Sequence, residues 1–328
     1  MYKIFVTRKI PEAGIKLLKE QGGLQIKISP HDRVLTKKEI IKMGKGSDAL
    51  LSLLTDTIDG EIMDGIGKQL KIIANYAVGF NNINVPEAKK RGIAVTNTPV
   101  PEMSESVAEH TFALLMALAK RIVEADKFTR AKKFQGWSPT LFLGADLINK
   151  VLGIVGLGAI GKRVAQMATG SFKMKVLYYD VKRDESFEKE CGATFTAMPE
   201  LLRNSDFVSI HVPLLPSTKY LINDKEFALM KKTAYLINTS RGPIVREKAL
   251  LKVLKSKKIA GAALDVFECE PAIDCDLSDK LELRKMDNVV ITPHTASATN
   301  ETRNAMSVCA ARNIIAASKG EAPPNLVK

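Results

Sequence analysis

Three polar segments late in the chain carry side chains that suit carbonyl chemistry. Arg241 follows the apolar run 234–237, Glu270 follows the run 261–264, and His294 follows the run 289–292. Each run is typical of a buried strand, so the three side chains are predicted at the carboxyl ends of parallel strands. In open α/β sheets this edge is where ligands bind.

These three residue types together predict hydride chemistry on a 2-oxo or 2-hydroxy acid. The planar guanidinium of Arg241 can hold a substrate carboxylate through two parallel hydrogen bonds. His294 can donate a proton to the carbonyl oxygen near neutral pH. Glu270 can orient that imidazole and stabilise its protonated form.

Each residue also has a structural interpretation, which the sequence leaves open. Arg241 could form a surface ion pair, Glu270 or its neighbour Glu268 could be a loop acid, and His294 could be a hydrogen-bonded structural histidine. His211 also ends an apolar run and competes for the acid role. We interpret His211 instead as lining the nicotinamide pocket.

A glycine motif at residue 156 predicts a dinucleotide site. Gly156, Gly158 and Gly161 close an apolar strand and open an amphipathic helix, which is the context that this pattern requires. The first glycine allows a tight turn, the second lets a pyrophosphate approach, and the third lets helix and strand pack closely. Asp180 stands near the position, about 20 residues further on, where an acid binds the ribose diol.

The residues at position 180 and beyond favour NAD. A carboxylate at Asp180 repels the 2′-phosphate of NADP. Lys182 and Arg183 follow directly and could neutralise that phosphate, so use of NADP is left open.

The remaining chain alternates strands and helices, which predicts parallel sheets covered on both faces. Two prolines within residues 97–101 predict a stiff crossover between two such series. After it, residues 104 to about 130 predict one long helix capped by Ser104. The last helix, from about 299 to 318, is expected to return to the first series. Strands are predicted at 3–7, 25–28, 49–54, 71–74, 93–96, 151–155, 176–180, 206–212, 234–237, 261–264 and 289–292.

Composition is that of a folded cytoplasmic protein. The chain has 328 residues, 45% of them hydrophobic, and a formal net charge of +13. The lysines are spread along the chain, which favours a solvated basic surface over a nucleic-acid partner. Neither a signal peptide nor a membrane span is predicted. The four cysteines are scattered, so we predict free thiols and no metal site.

The order and spacing of these motifs resemble the D-isomer-specific 2-hydroxyacid dehydrogenase family over nearly the whole chain. Residues 134–144 look most like the glyoxylate/hydroxypyruvate reductase and D-glycerate dehydrogenase branch, and also like phosphite dehydrogenase. The matching segments are Tyr76-Ala-Val-Gly-Phe-Asn-Asn-Ile, Gly156-Leu-Gly-Ala-Ile-Gly, His211-Val-Pro-Leu, Asn238-Thr-Ser-Arg-Gly, Ala263-Leu-Asp-Val-Phe-Glu-Cys-Glu-Pro and Thr292-Pro-His.

The resemblance implies two doubly wound parallel-sheet α/β domains in a homodimer. A Rossmann-like NAD(P)-binding domain, residues 101–297, would be inserted into a flavodoxin-like substrate domain, residues 1–100 and 298–328. Arg241, Glu270 and His294 would be catalytic, and Arg241 would bind substrate together with Leu54, Val78, Gly79 and Trp137. The implied cofactor contacts are Val107, Gly156, Gly158, Ala159, Ile160, Gly161, Asp180, Val181, Lys182, His211, Val212, Pro213, Thr218, Thr239, Ser240, Arg241, Asp265, His294 and Ala296.

The activity implied is reduction of glyoxylate or hydroxypyruvate with NAD(P)H. Alternatives are a D-lactate or 3-phosphoglycerate type of dehydrogenase, or a dinucleotide-sensing protein of the corepressor type. The sequence departs from the family pattern at four places. Val78 replaces the lysine of phosphite dehydrogenases, which argues against that activity. The others are Asn81, Arg246 and Thr295-Ala296, and none removes a proposed catalytic group.

Overall fold

The computed structural model describes residues 1–270 and 282–327, and the chain divides into two compact units. One unit comprises Met1–Met103 and Ala298–Lys328, and the other comprises Ser104–Ser297. Each contains one parallel sheet with helices in its crossovers. The predicted fold class is therefore confirmed.

The sheet of the first unit has the strand order β2-β1-β3-β4-β5, which is the flavodoxin-like order. Its central strands are almost entirely apolar and buried, because helices cover both faces of a parallel sheet. The strands are β1 Tyr2–Val6, β2 Leu24–Ile28, β3 Ala49–Leu53, β4 Ile72–Tyr76 and β5 Ala94–Thr96, and the intervening helices are α1 Glu12–Glu20, α2 Lys37–Gly44, α3 Gly60–Ile66 and α4 Val85–Lys90.

The second unit begins with two helices and continues as a Rossmann-type series. Within the described residues its sheet has the order β12-β11-β10-β9-β6-β7-β8. The helices are α5 Pro101–Ala119, α6 Ile122–Arg130, α7 Ala159–Phe172, α8 Glu185–Cys191, α9 Met198–Asn204, α10 Asp224–Leu229 and α11 Glu247–Lys255, and the strands are β6 Val151–Val155, β7 Lys175–Tyr179, β8 Thr194–Phe195, β9 Phe207–Ile210, β10 Tyr235–Asn238, β11 Gly261–Leu264 and β12 Val289–Ile291.

The prediction of one long helix over residues 104–130 is wrong. The chain forms α5 and α6, and Arg121 between them adopts a left-handed conformation with φ 54°. The carbonyl of Ala119 accepts a hydrogen bond from the N–H of Ala145 (2.8 Å) instead of continuing the helical ladder. Ser104 lies inside α5 rather than at its cap, since that helix begins at Pro101. Proline is favoured at a first helical position because its missing N–H is not needed there.

The final helix, α12 Asn300–Ser318, belongs to the first unit. It packs on α1, where Gly14 leaves room for the backbone of Ser307. A Cβ at Gly14 would lie 2.1 Å from the carbonyl oxygen of Ser307, so only glycine fits this contact. The N–H of Gly14 also donates to Ser307 Oγ (2.9 Å).

The cysteine prediction holds for only some of the described residues. Cys191 and Cys309 are free thiols, whereas Cys269 is disulfide-bonded, so the expectation of a free thiol there was wrong. Cys275 lies outside the described residues. None of the helices among the described residues is long and apolar enough to span a bilayer.

Candidate active site

The three predicted catalytic segments lie side by side at one edge of the second sheet. The strands β10, β11 and β12 are adjacent and parallel. Arg241, Glu270 and His294 lie on the segments that follow their carboxyl ends. The parallel register therefore places all three segments at the edge where the sequence predicted a site.

Nδ1 of His294 and Oε2 of the Glu270 carboxylate are in hydrogen-bonding contact, which is an ion pair when the imidazole is protonated. The other carboxylate oxygen, Oε1, accepts the N–H of Phe267 at 2.9 Å. Both side chains remain about one quarter exposed. A carboxylate on Nδ1 fixes the ring orientation and leaves Nε2 for exchange of a proton with a ligand.

Backbone conformation at His294 is held by Asp265, which follows β11. His294 has φ 54°, a conformation that non-glycine residues rarely adopt. Its N–H donates to the carbonyl oxygen of Asp265 (2.9 Å). The carboxylate of Asp265 accepts the N–H groups of Thr295 and Ala296, each at 2.8 Å. One fully buried carboxylate thus shapes the turn that presents the imidazole.

The ionised form of Asp265 is favoured although the side chain is buried. Burial alone would raise the pKa of Asp265, but hydrogen bonds from His110, Thr292 and the two backbone N–H groups outweigh it and lower the pKa. Thr292 Oγ1 donates to Asp265 Oδ1 at 2.6 Å, and His110 Nε2 lies 3.1 Å from that hydroxyl. A role for His110 was not predicted, because it lies on α5, far along the chain from Asp265 and Thr292.

Arg241 is half-buried, and its main chain is fixed by the asparagine that ends β10. Asn238 Nδ2 donates to the carbonyl of Arg241 (3.0 Å), and Asn238 Oδ1 accepts the N–H of Ser240 (3.1 Å). Desolvation lowers the pKa of Arg241, and the negative charge of Glu270 opposes that shift. An arginine remains ionised under such conditions. The site therefore holds a partly desolvated cation near the carboxylate of the His–Glu pair.

The glycine loop has the conformation that a dinucleotide requires. Gly156 has φ 100°, and a Cβ there would lie 2.8 Å from the carbonyl carbon of His211. Gly158 is the N-cap of α7, where a Cβ would meet no atom within 4 Å. A Cβ on Gly161 would lie 2.1 Å from the carbonyl oxygen of Gly156. Open space at the amino end of a helix suits a pyrophosphate, so the loop fits the predicted cofactor.

Asp180 is joined to this loop by its carboxylate. Oδ2 accepts the N–H of Leu157 and Oδ1 accepts the N–H of Val181, both at 2.6 Å. Arg183, which could have neutralised a 2′-phosphate, forms two hydrogen bonds with Glu188 at 2.8 and 2.9 Å. This pairing occupies one of the two cations that could have neutralised a 2′-phosphate, and Lys182 is the other.

His211 follows β9 beside the glycine loop. Its N–H donates to the carbonyl of Val155 (2.8 Å), and its Nε2 lies 2.8 Å from Ser209 Oγ. Desolvation lowers the pKa of His211 to about 3. A neutral imidazole at physiological pH is a poor proton donor, which supports a lining role rather than the acid role.

Neutral His211 is expected to make the folded protein sensitive to acid. The pKa of an unfolded histidine is about 6.5. Between that pH and about 3, the unfolded chain binds a proton that the folded chain does not, so the free energy of unfolding decreases as the pH is lowered. We expect acidification from pH 7 to pH 5 to cost the wild type about 1–2 kcal/mol more than the variant His211→Gln. Urea denaturation at both pH values measures this, and equal losses would contradict it.

The remaining predicted cofactor residues also belong to the second unit. Thr111 Oγ1 lies 3.2 Å from Thr239 Oγ1, and Ser240 Oγ donates to the carbonyl of Val212. Thr218 Oγ1 donates to the carbonyl of Pro213 at 2.6 Å. The structure places the others on α5, at the amino end of α7, after β7 and after β12: Val107, Ala159, Ile160, Lys182 and Ala296.

Three predicted substrate residues lie in the first unit, after β3 and β4. These are Leu54, Val78 and Gly79. The carbonyls of Val78 and Gly79 accept hydrogen bonds from Asn97 and Asn75. Within the described residues, neither of their N–H groups donates to a protein acceptor. Such N–H groups can bind a carboxylate. Trp137, in the second unit, is 86% exposed.

Comparisons with known proteins agree on one family. Residues 112–296 match the family model described as "D-isomer specific 2-hydroxyacid dehydrogenase, NAD binding domain". The chain is 49% identical to a glyoxylate reductase of Korarchaeum cryptofilum, over 99% of this chain and 95% of that protein. It is 45% identical to a glyoxylate reductase of Pyrococcus furiosus, with the same coverage. Among solved structures it resembles a D-lactate dehydrogenase of Aquifex aeolicus complexed with NAD and lactic acid, with TM-score 0.86, 33% identity, and coverage of 99% of this chain and 98% of that one.

Proposed function

This chain belongs to the D-isomer-specific 2-hydroxyacid dehydrogenase family, and on that premise we propose that it reduces glyoxylate and hydroxypyruvate to the 2-hydroxy acids with NADH. It is an NAD(P)-dependent dehydrogenase, and NAD is its cofactor. The observation that carries the proposal is the His294–Glu270 ion pair on the same sheet edge as the half-buried Arg241. Both similar glyoxylate reductases support the choice of substrate.

Arg241 anchors the substrate in the proposed reaction. Its guanidinium pairs with the substrate carboxylate and draws electron density from the adjacent carbonyl. The backbone N–H groups of Val78 and Gly79 are proposed as further carboxylate donors, with Leu54 and Trp137 bordering the substrate. Together these groups leave the carbonyl carbon as the electrophile.

His294 supplies the proton to the carbonyl oxygen. The glycine loop and Asp180 would hold NADH, which would supply the hydride for the α carbon. The imidazolium of His294 donates from Nε2 as negative charge develops on the oxygen, while Glu270 on Nδ1 stabilises the cationic ring. In the oxidative direction the neutral ring accepts the same proton.

A panel of 2-oxo acids tests the proposal. Initial rates of NADH oxidation are measured with glyoxylate, hydroxypyruvate, pyruvate and 3-phosphohydroxypyruvate. We expect the highest kcat/KM with glyoxylate or hydroxypyruvate, and one glycolate formed for each NADH consumed with glyoxylate. A clear preference for pyruvate would contradict the proposed substrates and would favour the D-lactate type of dehydrogenase. NADH binding without turnover on any acid would favour a corepressor-like protein.

Asp180 is proposed to set the preference for NADH over NADPH. Removing its carboxylate in Asp180→Ala loses charge-assisted hydrogen bonds to the ribose, worth about 1.5–3 kcal/mol. We expect kcat/KM for NADH to fall by roughly 10- to 100-fold and the value for NADPH to rise. Steady-state kinetics with both coenzymes measures this, and Asp126→Ala, an exposed acid paired with Arg130, is the control. An unchanged ratio of the two coenzymes would contradict the assignment.

A homodimer is proposed from the apolar side chains exposed between the last turn of α5 and the start of β6. Charge introduced at an exposed leucine of this segment, in Leu143→Glu, is expected to halve the mass measured by light scattering. Leu326→Glu, which alters an exposed leucine in the first unit, should leave the mass unchanged. A monomeric wild type would contradict the proposal. The exposed residues of the segment are Met116, Ile122, Phe134, Trp137, Leu141, Leu143 and Ile148.

The proposed setting is the cytoplasm, with small 2-oxo and 2-hydroxy acids as partners. Neither a nucleic acid nor a membrane is proposed as a partner. The net charge of +13 is attributed to a solvated basic surface that attracts anionic substrates.

A further inference from the structure

The segment that carries Arg241 and the segment that carries Glu270 meet backbone to backbone. Gly242 begins a short 3-10 turn directly after Arg241. A Cβ on Gly242 would lie 1.8 Å from the carbonyl carbon of Phe267 and 2.3 Å from the nitrogen of Glu268. Any side chain at Gly242 would therefore push the two segments apart.

Two carboxylates join the same segments by a reciprocal pair of hydrogen bonds. Glu268 Oε1 accepts the N–H of Glu247 at 2.6 Å, and Glu247 Oε1 accepts the N–H of Glu268 at 2.5 Å. Glu247 is the first residue of α11, and only 6% of it is exposed. Short hydrogen bonds from N–H groups to carboxylates are among the stronger ones in proteins.

The start of α11 takes an acceptor from another segment of the chain. The first N–H groups of a helix have no intrahelical partner, and serine, threonine, aspartate or asparagine at the N-cap usually supplies an acceptor for one of them. Here the N-cap of α11 is Arg246, whose side chain does not cap, and the acceptor comes from the Glu270 loop. The helix start therefore depends on the position of that loop, and the loop depends on the helix start.

The reciprocal pair is linked to the catalytic ion pair through one further residue. Phe267, whose carbonyl group contacts Gly242, also donates its N–H to Glu270 Oε1 at 2.9 Å. Glu270 Oε2 in turn pairs with His294 Nδ1. A displacement of the Phe267–Glu268 peptide would therefore move the carboxylate that orients the imidazole.

We propose that Glu247 and Glu268 are positioning residues that hold the Arg241 turn and the Glu270 loop in the spacing required for catalysis. They touch neither substrate nor cofactor in this role. They keep Arg241, which binds the substrate, and Glu270, which orients His294, in fixed positions. Displacements of about 1 Å in such groups cost roughly 100-fold in rate. The inference rests on the proposed reductase activity.

The test compares alanine and glutamine at both positions in the full-length enzyme. Alanine removes the acceptor, whereas glutamine keeps an oxygen in the same place without the charge. For Glu268→Ala, Glu268→Gln, Glu247→Ala and Glu247→Gln, we measure kcat and KM with glyoxylate, the Kd of NADH by fluorescence, and Tm. Asp206→Ala is the matched control, since Asp206 Oδ2 also accepts a backbone N–H, that of Val151 at 2.9 Å, away from the catalytic segments.

We expect each alanine variant to lose about 10- to 100-fold in kcat, with the Kd of NADH nearly unchanged. Each glutamine variant should recover most of that loss, and Asp206→Ala should lower Tm with little change in kcat. Alanine variants that lose no more kcat than Asp206→Ala would overturn the proposal, as would glutamine variants as slow as the alanine ones. Should Glu247→Ala fail to fold, the Glu268 variants decide alone. Wild-type turnover in the same assay tests the reductase activity separately.

Discussion

Replacement of His294 by alanine is expected to lower kcat for glyoxylate reduction by about 100- to 10,000-fold, the range that general acid catalysis supplies. The reason is that no other described histidine combines a carboxylate partner on Nδ1 with a place at this sheet edge: His211 is kept neutral by desolvation, and His110 is committed to the Asp265 network. NADH should still bind, because the glycine loop and Asp180 are unchanged. Stopped-flow single turnovers at high enzyme concentration measure the residual rate.

The matched control for His294 is His31, an exposed histidine of the first unit. His31→Ala should turn over at the wild-type rate. A His294→Ala variant that retains more than about a tenth of wild-type kcat would reject a role in general acid catalysis.

Replacement of Arg241 by glutamine is expected to reduce kcat/KM for glyoxylate more than replacement by lysine. Arg241→Gln loses both charge and fork, and two charge-assisted hydrogen bonds of about 1.5–3 kcal/mol each correspond to a loss of roughly 100-fold or more. Arg241→Lys keeps a point charge without the planar fork, so it should lose roughly 10- to 100-fold. Steady-state kinetics at saturating NADH measures both.

A carboxylate-free aldehyde provides the decisive comparison for Arg241. If this guanidinium binds the substrate carboxylate, the Arg241 variants should differ little from the wild type in kcat/KM for an aldehyde that lacks a carboxylate. Equal losses on both substrates would point to a structural role instead. Arg203→Gln, which alters an exposed arginine paired with Glu200, controls for the change of charge.

The local pattern of the sequence was sufficient to predict most strands and the site edge. Mostly apolar runs such as 49–54 and 261–264 are typical of strands buried on both faces, and the structure has strands over Ala49–Leu53 and Gly261–Leu264. Because the carboxyl ends of neighbouring parallel strands lie at the same edge of the sheet, the polar residues that follow such runs come close together there. The ion pair of His294 with Glu270 follows from that topology together with the chemistry of the two side chains.

What the sequence could not predict depends on contacts between distant segments. The break between α5 and α6 occurs where the N–H of Ala145 reaches the carbonyl of Ala119, a contact absent from any local pattern. The left-handed turn at His294 is similarly fixed by Asp265. The bonding between Glu247 and Glu268 also joins two segments that are separate in the sequence. Secondary-structure propensity describes single helices and strands, whereas these three features arise only when separate segments pack against one another.

A double-mutant cycle on kcat tests most directly whether His294 and Glu270 act as one unit. If Glu270 acts only through the imidazole, Glu270→Gln should slow the wild type by about 10- to 100-fold and should have no further effect on His294→Ala. That result would establish the pair as the proton donor of the reaction. An equal loss from Glu270→Gln in both backgrounds would show that the two residues act independently, and the proposed mechanism would then be wrong.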